Sequence, residues 1–135
     1  MPDENRLKLW AQIKHFSFGE FDSPDEKGSG IEMNIEFIKL LDELREKCGF
    51  SLFINSGYRT KAHNNKVAVV ENSAHTLGLA ADVACADSVE RDAILKHSFE
   101  LGIRRRGIGE TFVHLDMDFS KPQNVCWLYS KGSKG

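Results

Sequence analysis

Between residues 31 and 48, Ile31, Ile35, Ile38, Leu41, Leu44 and Cys48 recur three or four positions apart. That spacing keeps them on one side of an α-helix, so the stretch is predicted to be a helix with a buried stripe. Gly49 is a suitable stop, because glycine enters the left-handed conformation that closes many helices. A shorter helix is expected over 5–15, "NRLKLWAQIKH", with Leu7, Trp10 and Ile13 inward. Another is expected over 88–102, "SVERDAILKHSFELG", capped by Ser88 and closed by Gly102. Arg91 then takes the third helical position, where a capping box would place an acid.

The strand pattern is clearest in "TFVHLDMD", residues 111–118. Val113, Leu115 and Met117 fall on one face, and Phe112, His114, Asp116 and Asp118 on the other. "FSLFIN" is predicted as an earlier strand and "VCWLYS" as a short last one. "SAHTLGLAADVAC" reads as a turn feeding a strand from about Ala80 to Cys85, and "SGYRTKAHNNKV" as a polar connection. "SFGEFDSPDEKGSG" reads as a loop. Phe18 and Phe21 are placed to pin it to the body; a flap over a cleft is the alternative. The order of elements predicts an α+β fold, a small antiparallel sheet with helices packed on it. Residues 1–130 make a single domain, and 131–135, "KGSKG", a flexible tail.

Composition narrows the picture. A chain of 135 residues has room for one domain with a real core. Its 41% hydrophobic and 28% charged residues suit an ordinary globule. The net charge of -2 gives no general pull toward nucleic acid or an anionic membrane. "RRR", Arg104 to Arg106, is short and lacks interleaved aromatics, so it reads as a solvated surface. No apolar run is long enough to span a bilayer. "MPDENRLKLW" lacks the basic-then-apolar pattern of a secretory signal, so synthesis in the cytoplasm is expected. Cys48, Cys85 and Cys126 are widely spaced and are read as free thiols. The chain is expected to be a monomer.

Candidate chemistry centres on "SAHTLGLAADV". His75 and Asp82 lie seven residues apart, with Gly78 between them. A turn at Gly78 can fold them together, and His114 on the polar face of the later strand can join them. Two histidines, a carboxylate and a water make a sound catalytic zinc sphere. The alternative is two ordinary half-buried histidines, with Asp82 capping a turn. His97 falls in a predicted helix as a surface residue, and His63 lies near Arg59, placed to line a cleft.

"SGYRTKAHN", then "SAHTLGLAADV", then "FVHLDM", resemble the M15 peptidases. These are zinc D-alanyl-D-alanine carboxypeptidases and L-alanyl-D-glutamate endopeptidases, whose fold is shared with the hedgehog signalling domain. The pattern S-x-H-x-x-G-x-A-x-D is met by Ser73, His75, Gly78, Ala80 and Asp82, and the likeness runs from about Phe16 to Asp118. It implies that His75, Asp82 and His114 bind Zn²⁺. It implies that Arg59 faces the substrate or the developing oxyanion, and that Ser73 stands beside the first ligand. Ser73, Arg59 and His63 are thus the expected substrate contacts.

The general base is open. Several relatives carry an acid three residues before the last histidine, where this chain has Thr111. Asp116 and Glu110 are the candidates. Asp116 has another possible task, accepting the free N–H of a ligand histidine. A different register makes Asp116 the ligand and His114 its helper. The implied activity is hydrolysis of an amide bond in bacterial cell-wall peptide, as carboxypeptidase or endopeptidase. A phage lysis enzyme released by a partner, or a peptidase carried in the virion, fits the absence of a signal. The cleft walls are expected from loops 20–30 and 60–72. A non-catalytic, zinc-stabilised binding or virion structural module is the alternative.

Overall fold

The structure, a computed structural model, describes residues 3–67 and 73–135. The part of the expected 60–72 cleft wall beyond Val67 thus lies outside the described residues. The chain runs α1 Glu4–Trp10, α2 Ile35–Cys48, β1 Ile54–Ser56, α3 Lys61–Val67, β2 Ala80–Ala84, α4 Ser88–Glu100, β3 Arg105–Ile108, β4 Phe112–Asp116 and β5 Val125–Leu128. The strands form one sheet in the order β1-β2-β4-β3-β5. This is the expected α+β fold, with one difference in the sheet. The β1–β2, β2–β4 and β3–β4 pairings are antiparallel, but β3–β5 is parallel, so the sheet is mixed. The reason is the path of the chain. Loop 117–124 leaves the end of β4 and passes the start of β3, and β5 then runs alongside β3 in the same direction.

Local chemistry moves the helix ends. Asn34 caps α2, its side chain accepting from Phe37 N at 3.1 Å, so α2 starts at Ile35 and Ser29–Glu32 is a separate 3-10 turn. Gly49 closes α2 in the left-handed region, as expected. Beyond Trp10 the helix tightens and ends: Gln12 N and Ile13 N bond three residues back, to Leu9 O and Trp10 O, and Lys14 N and His15 N bond to the Asp42 carboxylate. α4 is capped by Asp87, not Ser88, which puts Glu90 rather than Arg91 at the third position. Glu90 in turn accepts from Ala86 N at 2.8 Å. The polar connection contains a helix that apolar periodicity does not reveal, α3, whose start is held by His63 N donating to Thr60 Oγ1.

α2 and α4 cover one face of the sheet. Phe37, Ile38, Leu41, Leu44 and Ile94 pack there with Ala81, Val83, Val113 and Leu115. The alternation read in β4 therefore holds: Val113 and Leu115 enter this core, while His114 and Asp116 turn to the opposite face. Among the described residues no helix is long and apolar enough to cross a membrane.

Candidate active site

The Ser73–Asp82 stretch folds by a local logic. Ser73 accepts from His75 N at 3.2 Å and caps the 3-10 turn Ala74–Leu77. Gly78 ends that turn at φ +70, and its N–H bonds back to His75 O. Its carbonyl accepts from Asn34 N at 2.9 Å, which ties the turn to the start of α2. A Cβ at position 78 would lie 2.8 Å from Glu32 O. Gly78→Ala is therefore expected to lower stability by ~1–3 kcal/mol, through left-handed strain and this contact, seen as a lower urea midpoint. An unchanged midpoint would contradict the packing described.

The ring of His75 is oriented from a second segment. Its Nδ1 donates to Gly57 O at 2.7 Å, which turns Nε2 toward Asp82. Gly57 is pressed against Phe21, where a Cβ would meet the Phe21 backbone at 2.8 Å. Tyr58 N donates to Phe21 O, and Arg59 N to His75 O. Ser23 and Asp25 bond to Thr60 through its N–H and hydroxyl. The 21–25 segment thus braces the turn that carries Gly57 and Arg59, and no residue of 20–30 lines the cleft.

The sheet supplies the rest. Asp82 in β2 and His114 in β4 are direct cross-strand partners. His114 Nδ1 lies 2.8 Å from Asp82 Oδ1, and His75 Nε2 lies 3.5 Å from the same oxygen. One ligand atom each from His75, Asp82 and His114 all fall within 4.8 Å of one another, and all three residues are buried. Asp82 Oδ2 is buried with no hydrogen-bond partner. Arg59 Nη2 stands 3.7 Å from it, close enough for an ion pair but too far for a hydrogen bond. Asp82 Oδ1 thus meets both imidazoles while Oδ2 is orphaned, and a buried carboxylate oxygen left in that state is costly and is relieved by a cation. The donor set therefore fits a divalent metal ion.

Asp116 takes the outer position beside His114. Its Oδ2 accepts from His114 Nε2 at 2.7 Å, and its Oδ1 accepts from Arg105 Nε at 2.8 Å and from Asp118 N at 3.1 Å. This arrangement leaves His114 Nδ1 facing Asp82, so His114 rather than Asp116 is the histidine-strand ligand candidate. Burial pushes the His75 imidazole below its ordinary pKa and keeps it neutral, as a ligand requires. Burial acts the same way on His114, but the hydrogen bonds to Asp116 and Asp82 outweigh it and raise that group. Asp82 and Asp116 feel burial upward, yet the histidine hydrogen bonds hold both carboxyls below the usual range.

The cleft over this cluster has a volume of ≈ 590 Å³. Arg59, Ser73, His75, His114 and Asp116 line it, as does Val67 at the end of α3. His63 and Glu110 do not line it. His63 is half-buried on α3, and the exposed Glu110 instead accepts from Gly132 N at 2.5 Å. Segment 130–135 comes back to the cleft, where Ser130, Ser133 and Gly135 form part of the lining.

Four further lining side chains were missed in the sequence: Arg105, Lys121, Trp127 and Tyr129. Arg105 belongs to the run read as solvated, and β3 separates its neighbours. Arg104 stacks 3.8 Å over the Phe99 ring, whereas Arg105 enters the cleft. The available signal is alternation within "VCWLY", which puts Trp127 and Tyr129 on one face, and Gly107, the cross-strand partner of both His114 and Trp127. Without a side chain at 107 the Trp127 ring reaches to 5.5 Å from that of His114; a Cβ there would meet Trp127 and Tyr129 at 2.6 Å.

No curated protein matches the chain significantly. A family model described as Peptidase M15 matches residues 11–116, a span that holds Arg59, Ser73 and the whole His75–Asp82–His114 cluster. By this match over most of its length, and with that cluster in place, the chain belongs to the M15 peptidase family.

Proposed function

We propose that this member of the M15 family is a zinc metallopeptidase that hydrolyses an amide bond in the peptide part of bacterial peptidoglycan. The observation that carries the reading is the buried His75, Asp82 and His114 cluster, open to a cleft beside Arg59. Nitrogen and oxygen donors in this number suit zinc with a position left for water. When bound, zinc supplies Lewis acidity toward the substrate carbonyl and lowers the pKa of a water.

The chain's own residues do the rest. His75 presents Nε2, because Gly57 O holds its Nδ1 proton. Asp116 holds the Nε2 proton of His114 and fixes the ring. Arg59 keeps its fixed charge at the cleft wall, where it stabilises negative charge developing on the substrate oxygen. Ser73 acts by capping the turn that carries His75. In this reading Asp116 is also the base that takes a proton from the attacking water and hands it to the leaving amine, a role supported by its position in the cleft lining, from which Glu110 is absent.

Trp127 and Tyr129 wall the cleft beside His114, their rings 5.5 and 6.3 Å from its imidazole, and shape it for a peptide. Gly107→Ala is expected to push both rings and cut kcat/KM by up to roughly 10²-fold, the scale of a displacement of about 1 Å, with zinc content unchanged. Unaltered kinetics would remove the aromatic wall from the account. The test of the function is digestion of defined muropeptides by the zinc-loaded protein, with products identified by mass spectrometry. Loss of a terminal D-alanine marks a carboxypeptidase, and cleavage between L-alanine and D-glutamate an endopeptidase. A second reading, a non-catalytic zinc-stabilised module, is favoured by the bonds already made by both Asp116 oxygens. No cleavage of any peptide by fully loaded protein would select it.

A further inference from the structure

Resting on the peptidase reading, we propose that Arg105 forms a carboxylate-binding subsite at one end of the cleft, so that the preferred peptide carries a free carboxylate beside the scissile amide. Arg59, Asp82, His114, Asp116 and Arg105 form a continuous row. Arg59 pairs with Asp82 at 3.7 Å, Asp82 meets His114 at 2.8 Å, His114 meets Asp116 at 2.7 Å, and Asp116 meets Arg105 at 2.8 Å. The two guanidinium groups therefore stand at the two ends of this row of contacts. Arg59 is beside the ligand carboxylate. Arg105 is linked to His114 through Asp116.

Arg105 is built to hold still. Its Nε donates to Asp116, its Nη1 to Pro122 O at 2.7 Å, and its guanidinium carbon lies 5.0 Å from the centre of the Trp127 ring. Its side chain is only 12% exposed, yet it lines the cleft. Its Nη2 has no hydrogen-bond partner among the described residues. An arginine at a cleft wall, fixed on two of its nitrogens and with the third unbonded, is preorganised for a carboxylate at little further cost in side-chain entropy.

The same end of the cleft carries a second cation. Lys121 lines it from loop 117–124, the loop whose Pro122 carbonyl holds Arg105, and its ammonium sits 3.0 Å from Asp118. Each cation here is already matched by a carboxylate, Arg105 by Asp116 and Lys121 by Asp118, so a ligand carboxylate would be held by a directed hydrogen bond from Arg105 and not by an excess of positive charge. Arg59 at the other end serves the reacting carbonyl, which leaves Arg105 to read the neighbouring residue.

Arg105 also supports Asp116, so lost activity in a variant would not by itself identify a subsite. The experiment uses two matched pairs of peptides with blocked amino termini. One pair is L-alanyl-γ-D-glutamyl-L-lysine with the glutamyl α-carboxylate free or amidated. The other ends in D-alanyl-D-alanine with the terminal carboxylate free or amidated. The zinc-loaded wild type is expected to prefer the free carboxylate in one pair by roughly 10–100-fold in kcat/KM, mostly through KM, the scale of one hydrogen-bonded charge. Arg105→Gln should erase that preference, and Arg105→Lys should keep part of it. The proposal is overturned if the wild type shows no preference in either pair, or if Arg105→Gln slows both members equally and leaves the preference intact. Calorimetric titration of the same peptides separates this from the peptidase reading. Preferential binding that Arg105→Gln abolishes, in a protein that cleaves neither pair, sustains the subsite and ends the peptidase reading. No difference in binding between the members of each pair, with no cleavage, ends the subsite as well.

Discussion

His75→Ala is expected to yield a folded chain that holds zinc far more weakly and shows no peptide hydrolysis above the chelated wild type. The loss of affinity should exceed the roughly 10–100-fold that removing an outer partner costs, because a direct ligand is gone. The fold should survive because His75 is not part of the apolar core on the helix-covered face of the sheet. The change does leave Gly57 O without its buried partner, a cost of about 1–3 kcal/mol. Circular dichroism and metal analysis after reconstitution separate the two effects. His97→Ala is the control: His97 lies on α4 and pairs with Glu100 at 2.6 Å, away from the cluster, so zinc and activity should be retained. Full zinc occupancy in His75→Ala would remove this residue from the site.

Asp116→Asn should have the next largest effect. The substitution keeps an oxygen that can accept from His114 Nε2, so a zinc-loaded protein remains obtainable. It removes the negative charge that faces Arg105 and the capacity to carry a proton. Hydrolysis is expected to fall by about two to four decades, the scale of general-base catalysis. Glu110→Gln should stay within a few-fold of wild type, since the Glu110 carboxylate faces Gly132 and not the cleft. A slow Glu110→Gln beside a normal Asp116→Asn would reverse the two roles.

Much of the site could be read before any coordinates. Ser73, His75, Gly78 and Asp82 are coupled by short-range geometry: a cap, a buried histidine, a left-handed stop and a strand residue. Local patterns of that kind survive in sequence. Alternation in β4 likewise separated Val113 and Leu115 from His114 and Asp116, because a strand facing a core on one side must alternate. What stayed hidden depends on distant partners. Arg105 looks like one of three equivalent charges until β3 pairs with β4 and sets it against Asp116. β3 has too few apolar residues to announce a strand, and its parallel partner β5 is fixed by the path of loop 117–124. α3 carries no apolar stripe, so period alone could not find it. Gly57 matters through its carbonyl and through Phe21, contacts that no spacing within "SGYR" encodes.

The central claim is that His75, Asp82 and His114 hold one zinc ion at the floor of the cleft. Zinc K-edge absorption of the reconstituted wild type tests it most directly. The account predicts one zinc per chain with two imidazole nitrogens at about 2.0–2.1 Å, a carboxylate oxygen at about 2.0–2.2 Å and a further light atom from solvent. The imidazole scattering should fall to that of a single ring in His114→Ala. Zinc coordinated by sulfur, or a wild-type spectrum with no imidazole shell, would contradict it.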